Sequence, residues 1–257
     1  MLWRILSQIF YFCFFFYAII FSNSAFSDNS KKSHLSRSSQ FIRQAKQLLK
    51  RHTKRSKLLA ASYFLKAYRL IPRSFRGLNA GARACMLYAR FNKKSSKVVY
   101  WSKKGWKIAK TIIKKFPHKA EGYLWTSMAV GYYARASGIW VAITQGLAKK
   151  IEQMALRSIK INPTLHRGAA QLILGRYYFK LPWPMRKLKK ALYYLKECYR
   201  QNPNNPSTLL FLAEAYWSNG NKRKARFFYK LCMKKDYPHS GKKSPPQKCK
   251  NWLIKHP

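Results

Sequence analysis

Prolines end a helical pattern at five places along this 257-residue chain: Pro72, Pro117, Pro163, Pro203 and Pro238. Upstream of each of the first four, three positions are occupied mostly by small or apolar residues. In the first unit these are Ala60, Phe64 and Ala67. Small residues let two antiparallel helices approach closely, and proline stops the second helix before the next unit begins. The pattern therefore predicts a stack of helix pairs.

The last unit resembles a complete tetratricopeptide repeat (TPR). Leu212, Ala213 and Tyr216 stand on its first helix, and Ala225, Tyr229 and Cys232 on its second, with a turn at Gly220-Asn221. This resemblance implies an all-α, TPR-type helical-repeat solenoid of about five helix pairs, whose curvature creates a concave binding surface.

Three units are longer than a regular repeat. One holds Leu181-Pro182-Trp183-Pro184, which must be a loop because two prolines cannot lie inside a helix. No proline interrupts the surplus residues between Cys85 and Ile112 or between Gly131 and Ser158. We therefore expect these residues to lengthen the helices by about one turn each.

The N-terminus has the pattern of a secretory signal peptide. Arg4 precedes an apolar run over residues 5–21, and Ala25 and Ser27 suit a cleavage site. An uncleaved anchor is the alternative. The predicted organisation is a signal peptide at 1–27, a linker at 28–38, the helical-repeat domain at 39–239 and a basic, proline-containing tail at 240–257. Trp252, Leu253 and Ile254 of the tail offer an apolar edge that can cap the last helix. The predicted location is the periplasm or the cell envelope.

Basic residues dominate the chain, with 53 Lys and Arg against 6 Asp and Glu and a formal net charge of +47. Such a field favours anionic partners, although a solvated lysine-rich surface is an equally simple explanation. The few acids are widely separated, and no zinc spacing, phosphate loop or nucleophile motif is present. The sequence thus predicts a protein that is not an enzyme and needs no cofactor or metal.

Export would permit disulfide bonds. Cys232 and Cys249 are the favoured pair, because a bridge between them would hold the tail to the last helix. Small buried thiols remain an equally good description of Cys85, Cys198 and Cys232.

Residues 120–236 carry a narrower resemblance. Leu174-Gly175-Arg176-Tyr177-Tyr178, the loop at Leu181–Pro184 and Lys189-Lys190-Ala191-Leu192 follow one another as in the T component of TPR-associated TRAP transporters. This resemblance implies an accessory to a periplasmic solute-binding protein, forming a homo-oligomer with a hydrophobic channel.

The candidate partner- or ligand-binding residues fall into two groups. An aromatic stretch, predicted to form one long helix, carries the first group: Trp125, Tyr132, Tyr133 and Trp140. The second group lies in or beside the insertion loop: Arg176, Tyr178, Trp183, Lys187 and Lys190. For Trp183 the alternative to binding is a loop anchor packed on the neighbouring repeat. The aromatic stretch can equally be core, and the lysines a solvated face.

Two functions are consistent with these features. The first is an extracytoplasmic scaffold that binds a protein partner or a hydrophobic solute. The second is an electrostatic binder of anionic lipid or lipopolysaccharide. A nucleic-acid partner is disfavoured, because the signal peptide directs the chain away from the cytoplasm.

Overall fold

The computed structural model describes residues 30–51, 53–92, 94–235 and 244–256. Every regular element among these residues is an α-helix. The predicted signal peptide lies outside the described residues. No helix in the described part of the chain is long and apolar enough to cross a lipid bilayer.

In this part of the chain, a helix through residues 30–50 (α1) precedes eleven others. These are α2 (Lys54–Leu70), α3 (Phe75–Phe91), α4 (Ser95–Lys115), α5 (Ala120–Ser137), α6 (Ile139–Thr144), α7 (Leu147–Ile161), α8 (Ala169–Lys180), α9 (Leu188–Gln201), α10 (Pro206–Ser218), α11 (Lys222–Met233) and α12 (Pro245–Lys255). Residues 30–38 are therefore helical, although the sequence predicts a linker at 28–38.

The helices form five antiparallel pairs, α1/α2, α3/α4, α5/α7, α8/α9 and α10/α11, and each pair packs on the next. This confirms the predicted all-α, TPR-type solenoid. Small residues allow the close approach within pairs. A Cβ added at Gly175 on α8 would lie 2.5 Å from Cγ of Leu195 on α9, so this glycine serves helix packing.

Local signals set the helix boundaries. The second helices α2, α4, α7 and α9 each end two residues before a proline, as the sequence predicts. Side-chain caps begin two of the helices that follow, α3 and α10. Ser74 accepts a hydrogen bond from the Gly77 amide, and Asn205 accepts one from the Ser207 amide.

The surplus residues of the two long units behave differently. In the second pair they lengthen the helices, as predicted: α3 has 17 residues and α4 has 21. In the third pair the prediction of one long aromatic helix is wrong. Helix α5 ends at Ser137, because Gly138 adopts φ 97°, and the next residues form the separate short helix α6. A positive φ is incompatible with continuing the α-helix, and glycine permits it at little cost.

Curvature follows from how the pairs stack. The first helices of successive pairs contact one another, as α3–α5, α5–α8 and α8–α10, and α12 continues this row against α10. Among the described helices, the second helices of successive pairs make no comparable contact. The row whose members lie closer together is on the inside of the bend. The first helices therefore line the concave face.

The C-terminal tail closes the stack. Helix α12 packs on α10 and α11, and the Trp252 ring stacks on Tyr229 with centroids 3.9 Å apart. A disulfide bond joins Cys249 on α12 to Cys232 on α11. Both cysteines are fully buried, as are the free cysteines Cys85 and Cys198.

Candidate binding groove and exposed tryptophan loop

The centre of the concave face is built around Arg176. Its guanidinium lies 5.2 Å from the Phe211 ring centroid on α10, and it lies near Tyr132 and Arg135 on α5. Arg135 in turn lies over the Tyr132 ring. Three successive first helices thus contribute alternating arginine and aromatic side chains to one surface.

The neighbouring part of the face lies where α3, α5 and the α7–α8 turn meet. Nε1 of Trp125 donates a 2.6 Å hydrogen bond to Oδ1 of Asn79, and the Trp125 ring lies 5.4 Å from the His166 ring. His166 and Arg167 have φ values of 49° and 55°. Non-glycine residues rarely adopt this left-handed region, and such strain often accompanies a functional position.

The electrostatics of this face favour anions. The pKa of His166 is lowered to about 4, first by loss of solvent and then by the positive charges of Arg83 and Lys46. The pKa of Arg176 is also lowered, first by loss of solvent and then by Arg135. Both side chains nevertheless keep solvent-exposed area. We call the surface formed by the cations Lys46, Arg83, Arg135 and Arg176, together with the uncharged His166, the basic groove.

Carboxylates do not neutralise this groove. Glu214 lies close enough to Arg176 to raise its pKa, but Glu214 forms its ion pair with Lys180 at 3.5 Å. Among the described residues, no carboxylate makes an ion pair with Arg83, Arg135 or Arg176. The groove therefore presents cations that an anionic ligand can reach.

The aromatic candidates fall in different environments. Tyr132 borders the basic groove, whereas Trp125 is buried beneath it and 5% exposed. Tyr133 is half-buried against Trp106 of α4, away from Arg176. The side chain of Trp140 lies outside the described residues.

Tyr178 is also buried, and its hydroxyl donates a hydrogen bond to Glu152. Burial and this bond raise the pKa of Tyr178. The Lys190 ammonium lies 5.5 Å from the Tyr178 ring centroid. These contacts stabilise the junction of α7, α8 and α9 and leave Tyr178 unable to touch a partner.

The loop between α8 and α9 is the second exposed feature. Trp183 is 88% exposed, so the interpretation of this residue as an anchor packed on the neighbouring repeat is wrong. Met185 is also exposed, at 44%, as are Arg186 and Lys187. We call residues 181–187 the tryptophan loop.

Sequence reasoning identified Arg176 but missed Arg83, Arg135, Lys46 and His166. One signal was available: Arg83 and Arg176 each directly follow a small residue of a first helix, Ala82 or Gly175. Arg135 and Lys46 also directly follow a small residue of a first helix, Ala134 or Ala45, whereas His166 carries no such mark. Only the stacking of distant pairs brings these residues together. The described residues contain no cluster of three metal-ligating side chains.

Comparison with solved structures agrees with the fold. A thermophilic TPR protein from Thermus thermophilus matches with a TM-score of 0.61 and 18% identity, covering 84% of this chain and 99% of that one. YrrB, described as a TPR protein with an unusual peptide-binding site, gives a TM-score of 0.37 and 14% identity over 75% of this chain and 83% of its own. The second match is too distant to add to the argument.

Comparison of sequences assigns the family. No curated protein matches the chain. The model of the family described as regulator of microtubule dynamics protein 1-3 matches residues 41–255, which include all five second helices and α12. The family match therefore gives no support to the TRAP transporter component that the sequence predicts for residues 120–236. The protein is TPR-like in fold, and it belongs to the regulator of microtubule dynamics protein 1-3 family.

Proposed function

We propose that this protein is a non-enzymatic scaffold whose basic groove binds an extended acidic segment of a partner protein. The observation that carries the proposal is the set of groove arginines without carboxylate partners: Arg83, Arg135 and Arg176. Arginine presents a planar array of donors that matches carboxylates in a bidentate manner. Arginines on three successive first helices suit a ligand that runs along the stack.

Aromatic side chains support the same function. Tyr132 and Phe211 lie against the guanidinium groups of Arg135 and Arg176. These contacts fix the orientation of the guanidinium groups before a ligand binds, so less side-chain entropy is lost on binding. The excess of positive charge over the whole chain would accelerate encounter with an acidic partner.

Reversing the groove charges tests the proposal. We expect Arg83→Glu/Arg176→Glu to weaken binding of a fluorescent Asp- and Glu-rich peptide about 50-fold, because each arginine supplies a charge-assisted hydrogen bond. Fluorescence anisotropy measures the dissociation constant. The same peptide with Asn and Gln in place of the acids should bind weakly to both proteins.

The matched control is Lys107→Glu/Arg223→Glu, which makes the same change in net charge at exposed positions of the second helices α4 and α11. We expect it to weaken binding less than about threefold, since exposed charges are screened beyond about 8 Å. Equal losses in both double variants would show a non-specific attraction and contradict the groove proposal.

We further propose that the protein acts outside the cytoplasm. Residues 1–27 and the disulfide between Cys232 and Cys249 are consistent with export. Mass spectrometry of the protein from its native cell is the test: a mature chain without residues 1–27 in the envelope or periplasmic fraction supports export. An intact chain in the cytoplasm would contradict it.

Location decides which partner uses the groove. An exported chain suits a periplasmic or envelope protein, such as the solute-binding protein that the resemblance of residues 120–236 implies, or a second copy of the chain. The family description instead concerns microtubule dynamics. Affinity capture from envelope extract with the wild type and with Arg83→Glu/Arg176→Glu would identify a partner that depends on the groove.

A further inference from the structure

The tryptophan loop carries the most exposed large hydrophobic side chain of the described residues. Trp183 is 88% exposed and Met185 is 44% exposed, so both present apolar surface to water. An indole with this exposure gains little from packing within the protein. It is available to an external apolar environment.

Hydrogen bonds hold the base of the tryptophan loop, although the Trp183 side chain at its tip is exposed. The Lys187 amide donates to the Tyr178 carbonyl at 3.2 Å, and the Arg186 amide donates to the Pro182 carbonyl at 3.1 Å. Nε of Arg186 also donates to the Leu181 carbonyl at 3.3 Å. These bonds fix the base of the loop and leave the Trp183 side chain outside. Exposure of the indole is therefore built into the loop.

Cations surround the exposed apolar side chains. Arg186 and Lys187 belong to the loop, and Lys189, Lys190 and Lys196 are exposed on α9. Tyr193, 58% exposed, lies among them about one and a half turns into α9. The acid nearest in sequence is Glu197, which pairs with Arg200. The surface combines exposed aromatic side chains with an excess of positive charge.

We propose that the tryptophan loop docks the protein on the surface of a bilayer that contains anionic phospholipid. Tryptophan rings favour the membrane interface, where the ring is desolvated and the indole N–H stays near polar groups. Lysine and arginine beside it bind the anionic headgroups. The loop joins α8 to α9, whereas the basic groove lies on the first helices. Membrane docking thus leaves the groove able to hold a protein partner.

Vesicle sedimentation tests the docking. We expect the full-length protein to bind phosphatidylcholine vesicles containing phosphatidylglycerol more tightly than pure phosphatidylcholine vesicles, with weaker binding at high salt. Trp183→Ala should lower the partition coefficient about tenfold through the lost apolar contact. The control Phe227→Ala removes a 54% exposed aromatic from α11 and should change it less than about twofold.

A second measurement separates the loop from any contribution of residues 1–27. Brominated phosphatidylcholine quenches only tryptophans that reach the bilayer, so it should quench vesicle-bound wild type more than vesicle-bound Trp183→Phe. Equal quenching of the two proteins would overturn the proposal, because Trp183 would then lie outside the bilayer even on a bound molecule. Equal binding of wild type and Trp183→Ala in sedimentation, together with equal quenching, would leave a protein partner as the ligand of this loop.

Discussion

Gly77→Ala is expected to lower the free energy of unfolding by about 3 kcal/mol or more. Gly77 is the third residue of α3, and a Cβ there would lie 2.0 Å from the Ile71 carbonyl oxygen. That oxygen accepts hydrogen bonds from the Ser74 amide and hydroxyl. Because the obstacle is backbone in the turn between α2 and α3, the clash cannot be relieved by rotating a side chain.

Urea denaturation followed by circular dichroism measures this effect. Gly131→Ala is the control: Gly131 lies inside α5, and an added Cβ would meet no atom within 4 Å. The same chemical change should there stabilise the protein by up to about 1 kcal/mol, since alanine favours helix over glycine. A Gly77→Ala protein as stable as Gly131→Ala would show that the turn rearranges freely.

Reduction of the disulfide between Cys232 and Cys249 is expected to cost about 3 kcal/mol, the loop-closure contribution of a bridge spanning 17 residues. The loss should concentrate at the end of the stack, where Trp252 packs between Tyr229 and Trp217. Hydrogen exchange measured by mass spectrometry should therefore accelerate first in α12. An opened α12 would expose the aromatic face of α10 that it covers.

Cys232→Ser/Cys249→Ser supplies the control. Dithiothreitol should lower the unfolding midpoint of the wild type and leave that of the double variant unchanged, since Cys85 and Cys198 are already free thiols. Both are also buried, and burial raises the pKa of Cys85 to about 12, so neither is reactive in the folded state. An identical wild-type midpoint with and without reductant would show that the bridge contributes nothing to stability.

Local chemistry explains why so much of the fold could be predicted. Proline cannot continue a helix, and small residues recur where paired helices touch, so Pro72, Pro203 and Ala213 mark the repeat without any knowledge of distant contacts. The insertion at Leu181–Pro184 was predictable for the same reason. The break at Gly138 was not, because a single glycine inside an apolar run is compatible with either a helix or a turn.

The candidate site was predictable only in part. Arg176 and Trp183 stand in distinctive motifs, yet the sequence leaves open whether each is exposed. Trp125 and Tyr178 are aromatic like Trp183, so residue type alone does not distinguish the three. Trp125 and Tyr178 are nevertheless buried, because burial depends on which face of a helix meets its neighbours.

The sequence by itself determined the class of fold, the number of helix pairs and the position of the insertion loop, because helix ends and pair contacts depend on residues close together in the chain. Tertiary structure alone decided that Lys46, Arg83, Arg135, His166 and Arg176 share one groove and that Trp183 projects from the surface. These residues come from different repeats. Their proximity in space depends on the curvature of the stack. Many packing contacts together set this curvature, so no short stretch of sequence predicts it.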